Sequence, residues 1–109
     1  FVIEQKDITK DLIVIDLWDF ICAYDILEHL EENDLNKALT NIKKALSKEG
    51  NLLISVPFLN DPNLLADKTH KIHWTREQWE QKLKENGFTI KEVPLHFLYR
   101  NQIILCSIE

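Results

Sequence analysis

Apolar residues fall along this chain in two rhythms, unbroken runs and spacings of three and four, and the rhythms alternate. Phe1-Val2-Ile3-Glu4 is a short apolar run closed by polar residues and predicts a strand; a further run extends from Leu12 to Leu17. Trp18 to Tyr24 is apolar apart from Asp19, the pattern of a central strand covered by helices on both faces. It leads through an acidic turn at Asp25 into a short helix carrying Glu28 and His29. From Asp34 onward Leu35, Ala38, Leu39, Ile42, Ala45 and Leu46 recur at helical spacing, with Lys37, Asn41, Lys43, Lys44 and Lys48 on other faces. Lysines near the end of this amphipathic helix suit its dipole, and Gly50 reads as its left-handed stop. Asn51 to Val56 predicts another buried strand, closed by Pro57, which has no N–H to donate.

The second half is less regular. Phe58 to Trp74 has no clean period and reads as a long loop with one helical turn around Leu64-Leu65-Ala66; connections of this length are more often functional than idle. Thr75-Arg76-Glu77-Gln78 has the spacing of a capping box, opening a helix whose inner face carries Trp79 and Leu83 and which stops at Asn86-Gly87. Phe88 to Val93 alternates with period two, and Gln102 to Ile108 is a last apolar run beyond a turn at Arg100-Asn101. Two late strands with no helix between them predict an antiparallel pair at one edge of the sheet. The order strand, strand, helix, strand, loop, helix, strand, strand belongs to an α/β fold.

Composition narrows the function classes. At 109 residues the chain is one domain or a piece of one, and 45% apolar with 28% charged residues is the balance of a folding chain rather than a disordered one. A net charge of −5 with lysines scattered among acids argues against a nucleic-acid surface, which needs clustered Lys and Arg. Trp18 and Trp79 fall within core patterns, so they do not read with Trp74 as a base-stacking platform. No apolar run is long enough to cross a bilayer and no signal peptide opens the chain, so a cytoplasmic location is expected. Cys22 and Cys106 lie in apolar runs without Cys-x-x-Cys spacing and read as small buried hydrophobes. The chain starts at Phe1 rather than Met and reads as strand from its first residue, which implies a piece of a larger product.

The chemistry concentrates where strands end. Tyr24, Asp25, Glu28 and His29 follow the Trp18–Tyr24 run, where ligands of open α/β sheets bind. Asp67, His70 and His73 cluster in the long loop. Read alone, these three offer the donor types of a metal site, but they lack the i, i+4 spacing that makes one convincing, and no metal is assigned.

Two of these segments resemble one known family. Tyr24-Asp25 running into Leu27-Glu28-His29-Leu30, and Asp67-x-Thr69-His70-x-x-x-Trp74-Thr75 followed by a helix and Gly87-Phe88, are similar to the corresponding segments of class I S-adenosylmethionine-dependent methyltransferases. The resemblance covers nearly the whole chain. It implies a Rossmann-like sheet, mostly parallel with an antiparallel C-terminal strand pair and incomplete at its N-terminus, so that residues 1–109 form a partial methyltransferase domain. It further implies that Asp7 hydrogen-bonds the adenine of S-adenosylmethionine while Ile8 packs on the ring; by its residues alone, Asp7 equally caps a turn. Ala23, Tyr24 and Asp25 would lie against the methionine portion of the cofactor. His29 and His70 would act on the acceptor, with Glu28 and His73 lining its pocket, although Glu28 and His29 also suit plain helix-start hydrogen bonds. The expected acceptor is a small molecule or a glycan, with neither nucleic acid nor membrane as partner and with the oligomeric state open.

The chain departs from the family in one respect. Its only glycines, Gly50 and Gly87, both read as helix stops, so the glycine-rich cofactor turn and the acidic strand end that meets the ribose have no counterpart. Phe1 to Glu4 would then lack its usual intervening strands and could not pair with Trp18 to Tyr24 as in the family. The expectation is weak or absent cofactor binding by this stretch alone. A degenerate, non-catalytic binding or oligomerisation module is the alternative to an enzyme.

Overall fold

The spine of the fold is the run Leu46–Ser55, strand β2, which pairs on both its edges. The computed structural model describes residues 18–24, 26–59, 68–93 and 103–108. Within them β1 (Trp18–Tyr24), a 3-10 turn (Leu27–His29), α1 (Glu32–Ala45), β2, α2 (Arg76–Glu85), β3 (Thr89–Lys91) and β4 (Ile103–Ser107) follow in order. The strands form one sheet in the order β1-β2-β4-β3. β1 runs parallel to β2, whereas β4 is antiparallel to both β2 and β3. This is the expected mixed α/β sheet with an antiparallel C-terminal pair, and β4 is inserted between β2 and β3. The apolar runs at Phe1–Glu4 and Leu12–Leu17, and the helical turn around Leu64, lie outside the described residues.

Both helices form for reasons visible in their residues. α1 buries Leu35, Ala38, Leu39 and Ile42, carries Glu32 and Asp34 in its first turn and Lys43 and Lys44 in its last, and so matches its own dipole. α2 opens with the anticipated capping box: the Gln78 N–H donates to Thr75 Oγ1 at 3.2 Å, and the Thr75 N–H donates to Gln78 Oε1 at 2.8 Å. It ends at Gly87, whose φ of 89° is open to glycine at no steric cost, with the Phe88 N–H turned back onto the Leu83 carbonyl at 3.0 Å. Trp79 and Leu83 of α2 join the α1 residues, Leu52 and Ile54 of β2, and Ile104 and Cys106 of β4 in one core cluster. Among the described residues no helix is long and apolar enough to cross a membrane.

Four expectations need correction. Among the described residues β1 is an edge strand where a central one covered on both faces was expected, and Trp18 (39%), Phe20 (54%) and Tyr24 (55%) stay exposed on one face while Ala23 alone is buried on the other. Trp18 is therefore outside the core, and Cys22, on the same exposed row, is not a buried hydrophobe. Apolar residues on both faces of a strand state what it can bury, not what lies against it. Gly50 is the fourth. α1 ends at Ala45, its last carbonyls met by the Leu46 N–H donating to Ile42, and the chain passes directly into β2 with Gly50 inside the strand. The register there jumps from Trp18↔Leu46 to Phe20↔Asn51, so Ser47 to Gly50 face Asp19 as a bulge. A Cβ on Gly50 would lie 2.9 Å from Leu46 Cδ2 and 3.0 Å from the Trp18 carbonyl, so close backbone approach, not a left-handed turn, is what calls for glycine.

Candidate functional site

β1 and β2 are parallel and end side by side, Tyr24 opposite Ser55, so the segments leaving them emerge at the same edge of the sheet. After β1 the chain tightens into the 3-10 turn, with the Leu30 N–H donating to Leu27 at 3.2 Å. After β2, Pro57 stops the pairing and the loop toward α2 begins. The two segments are fastened together by backbone. The Glu28 carbonyl accepts from the Lys71 N–H at 2.8 Å and the Ile72 N–H at 3.1 Å, and the Leu59 N–H donates to the Trp74 carbonyl at 2.9 Å. Leu27 and Ile72 bury beneath this junction, and Trp74 meets Trp79 edge-on with ring centroids 5.0 Å apart.

Side chains from the two segments meet above it. The His29 and His70 rings lie 4.7 Å apart, tilted by 55°. Glu28 is fully buried, and its Oε2 stands 3.8 Å from the Nε2 of His29 and 3.8 Å from the Nε2 of His70. His70 is 10% exposed and His29 34%, so the group is closed beneath and open on the His29 side. The other nitrogen of His29 is held by Thr69, whose carbonyl lies 3.1 Å and hydroxyl 2.9 Å from Nδ1. With Nδ1–H donating to the carbonyl, the Nε2 lone pair faces Glu28; with the hydroxyl donating to Nδ1, Nε2 carries the proton. Lys71 pairs with Glu31 at 2.9 Å, both side chains exposed.

The residues singled out in the sequence separate here. Glu28, His29 and His70 come together. Ala23 is buried and Tyr24 exposed at the end of β1. His73 turns elsewhere: it is exposed, and its Nε2–H donates to the His70 carbonyl at 2.9 Å, so it buttresses the loop. Asp7, Ile8, Asp25 and Asp67 lie outside the described residues. Thr69 received no role from the sequence, although its place directly before His70 in the loop motif is the signal that would have found it. That Glu28 meets His70 across the sheet edge had no local signal at all.

Residues 4–93 match the family model described as "Methyltransferase domain". No curated protein matches the sequence. Among solved structures, the chain is similar to LepI, in a structure described as a complex with SAM, with a TM-score of 0.72 and 14% identity over 95% of this chain and 29% of that one. The YcgJ protein of Bacillus subtilis aligns with a TM-score of 0.66 and 18% identity over 84% of this chain and 42% of its own. The cyclase SpnF aligns with a TM-score of 0.72 and 14% identity over 95% and 55%. The chain thus spans between 29% and 55% of these proteins. At such identity the likeness is one of fold.

Proposed function

This chain belongs to the methyltransferase domain family, and on that premise we propose that residues 1–109 supply the C-terminal part of a class I S-adenosylmethionine-dependent methyltransferase domain. Its acceptor is a small molecule or a glycan, and it works in the cytoplasm. The observation that carries the reading is the meeting of His29 and His70, 4.7 Å apart, beyond the carboxyl ends of two parallel strands. That is where an open α/β sheet binds its ligand.

The residues present suit one side of the cofactor. The exposed ring of Tyr24 and the backbone at Ala23 offer an apolar, partly polar wall for the methionine portion, with Asp25 next in sequence. Asp7 and Ile8 are proposed for the adenine. When bound, S-adenosylmethionine supplies an electrophilic methyl group. What the chain adds is alignment and proton handling, which methyl transfer needs more than covalent help. In the tautomer with Nδ1–H on the Thr69 carbonyl, His29 presents a basic Nε2, and buried Glu28 at 3.8 Å stabilises the imidazolium formed there. His70 bounds the same space, and His73 shapes the loop that covers the acceptor.

Calorimetric titration of the full-length protein with S-adenosylhomocysteine tests the reading. Saturable heat and a raised melting temperature are expected. No heat and no thermal shift at millimolar ligand would overturn it in favour of a non-catalytic binding or oligomerisation module. With methyl transfer established, His29→Ala is expected to slow it by about 10²- to 10⁴-fold, the usual contribution of a positioned proton acceptor.

A further inference from the structure

Two imidazole nitrogens from separate segments converge on one oxygen of a buried carboxylate, and from this we propose that Glu28, His29 and His70 bind a single divalent transition-metal ion. The donor atoms of the three all lie within 4.8 Å of one another. Both Nε2 atoms stand 3.8 Å from Glu28 Oε2, beyond hydrogen-bond reach, so neither imidazole is bonded directly to that oxygen. Ligands around a tetrahedral ion at about 2.0–2.2 Å are about 3.3–3.6 Å apart, so the two 3.8 Å separations from Glu28 need a contraction of a few tenths of an ångström, and the widest separation in the set, within 4.8 Å, closes by about one ångström as the more exposed His29 ring turns inward. The tilt of 55° between the rings lets their lone pairs converge on one point rather than run side by side.

The surroundings are those of a metal site. A ligating histidine commonly donates its second ring N–H to a carbonyl, and the Thr69 carbonyl stands 3.1 Å from His29 Nδ1, the arrangement that leaves Nε2 as the donor toward Glu28. The Lys71 and Ile72 amides on the Glu28 carbonyl fix the His70 segment against the Glu28–His29 turn, so the donor set is held by backbone before any ion arrives. Two imidazoles and a carboxylate suit zinc and its first-row neighbours better than magnesium or calcium. Three protein ligands leave coordination open on the exposed His29 side, where an oxygen of the acceptor docks. That docking role rests on the methyltransferase reading and replaces proton acceptance by His29: with the ion bound, both histidines are ligands, and it is the ion that lowers the pKa of the hydroxyl bound to it. The metal site itself does not depend on that reading.

Dialysis of the protein against zinc, followed by metal analysis, tests the proposal, with cobalt substitution as a spectroscopic readout. One equivalent of zinc per chain is expected, with visible cobalt absorption of a low-coordinate site. His29→Ala and His70→Ala should lose both, while His73→Ala, whose ring turns to the His70 backbone, should keep them. If His70→Ala fails to fold by circular dichroism, His29→Ala, a more exposed side chain, decides. A wild-type protein that holds no zinc, or a folded His29→Ala protein that holds it as the wild type does, overturns the site. Zinc bound without any response to S-adenosylhomocysteine would leave the metal site standing and remove the methyltransferase role; the reverse result would do the opposite.

Discussion

β1 and β2 lie side by side in matched register from Ile21↔Leu52 to Tyr24↔Ser55, and by sequence both are apolar runs, yet they end in opposite environments. β2 is paired along both edges and buries Leu52, Ile54 and Ser55; β1 has one partner among the described residues and leaves Trp18, Phe20, Cys22 and Tyr24 on an exposed row. The same alternation therefore carries different energy in the two strands. In β2 each inward side chain is removed from water at roughly 25 cal/mol per Å² of apolar surface, whereas Trp18, Phe20 and Tyr24 on the outward row of β1 gain only about half of that. Position in the sheet order, not hydrophobicity, makes the distinction.

The sharpest way to break the comparison is to truncate one residue in each strand. Ile54→Ala opens a cavity among fully buried neighbours and is expected to cost about 2–5 kcal/mol, while Phe20→Ala should stay within about 0.5 kcal/mol, as surface changes do. Denaturant unfolding of both variants measures the gap; equal losses would mean that the β1 row is covered. The next test sits where the strands are irregularly joined. Gly50→Ala forces a Cβ against Leu46 Cδ2 and the Trp18 and Ser47 carbonyls, and overpacking of this kind costs about 1–3 kcal/mol. A neutral Gly50→Ala in a thermal melt would show that the bulge yields and that β1 is only loosely seated on β2.

What could be read in the sequence follows the same division between local and long-range causes. α1, the capping box at Thr75–Gln78 and the stop at Gly87 each rest on neighbours a few residues apart, and the antiparallel pair β3–β4 on two successive strands with no helix between them; each was legible. Gly50 was misread because Ser47-Lys48-Glu49-Gly50 has the composition of a helix end, and the competing cause, the approach of Trp18 from another strand, is invisible locally. The exposure of β1 was misread for the same reason. In the site, His29 and His70 were legible as chemistry-bearing residues in family-like segments. The burial of Glu28 between them, and the turning away of His73, depend on how two distant segments are fastened by the Glu28 carbonyl, which no spacing encodes.

The two cysteines give the smallest and cleanest contrast, one on each kind of strand. Burial raises both thiols, but Cys22 is on the exposed row of β1, whereas Cys106, with its Sγ donating to the Leu52 carbonyl at 3.6 Å, is pushed up to about 12 from 9.0. A folded thiol that holds its proton above the unfolded value adds stability that is complete below pH 9.0 and is lost as the pH rises toward 12, because the unfolded chain ionises first. Cys106→Ala should remove that slope, which approaches about 1.4 kcal/mol per pH unit between 9.0 and about 12. Cys22→Ala should leave most of it. Alkylation at pH 8 then completes the contrast without any energy measurement: Cys22 should react in the folded protein and Cys106 only once β4 separates from β2, so the two labelling rates report separately on the exposed row and on the core. Labelling of both cysteines at one rate would mean that β4 opens as readily as β1 is exposed, and the division between the strands would not survive it.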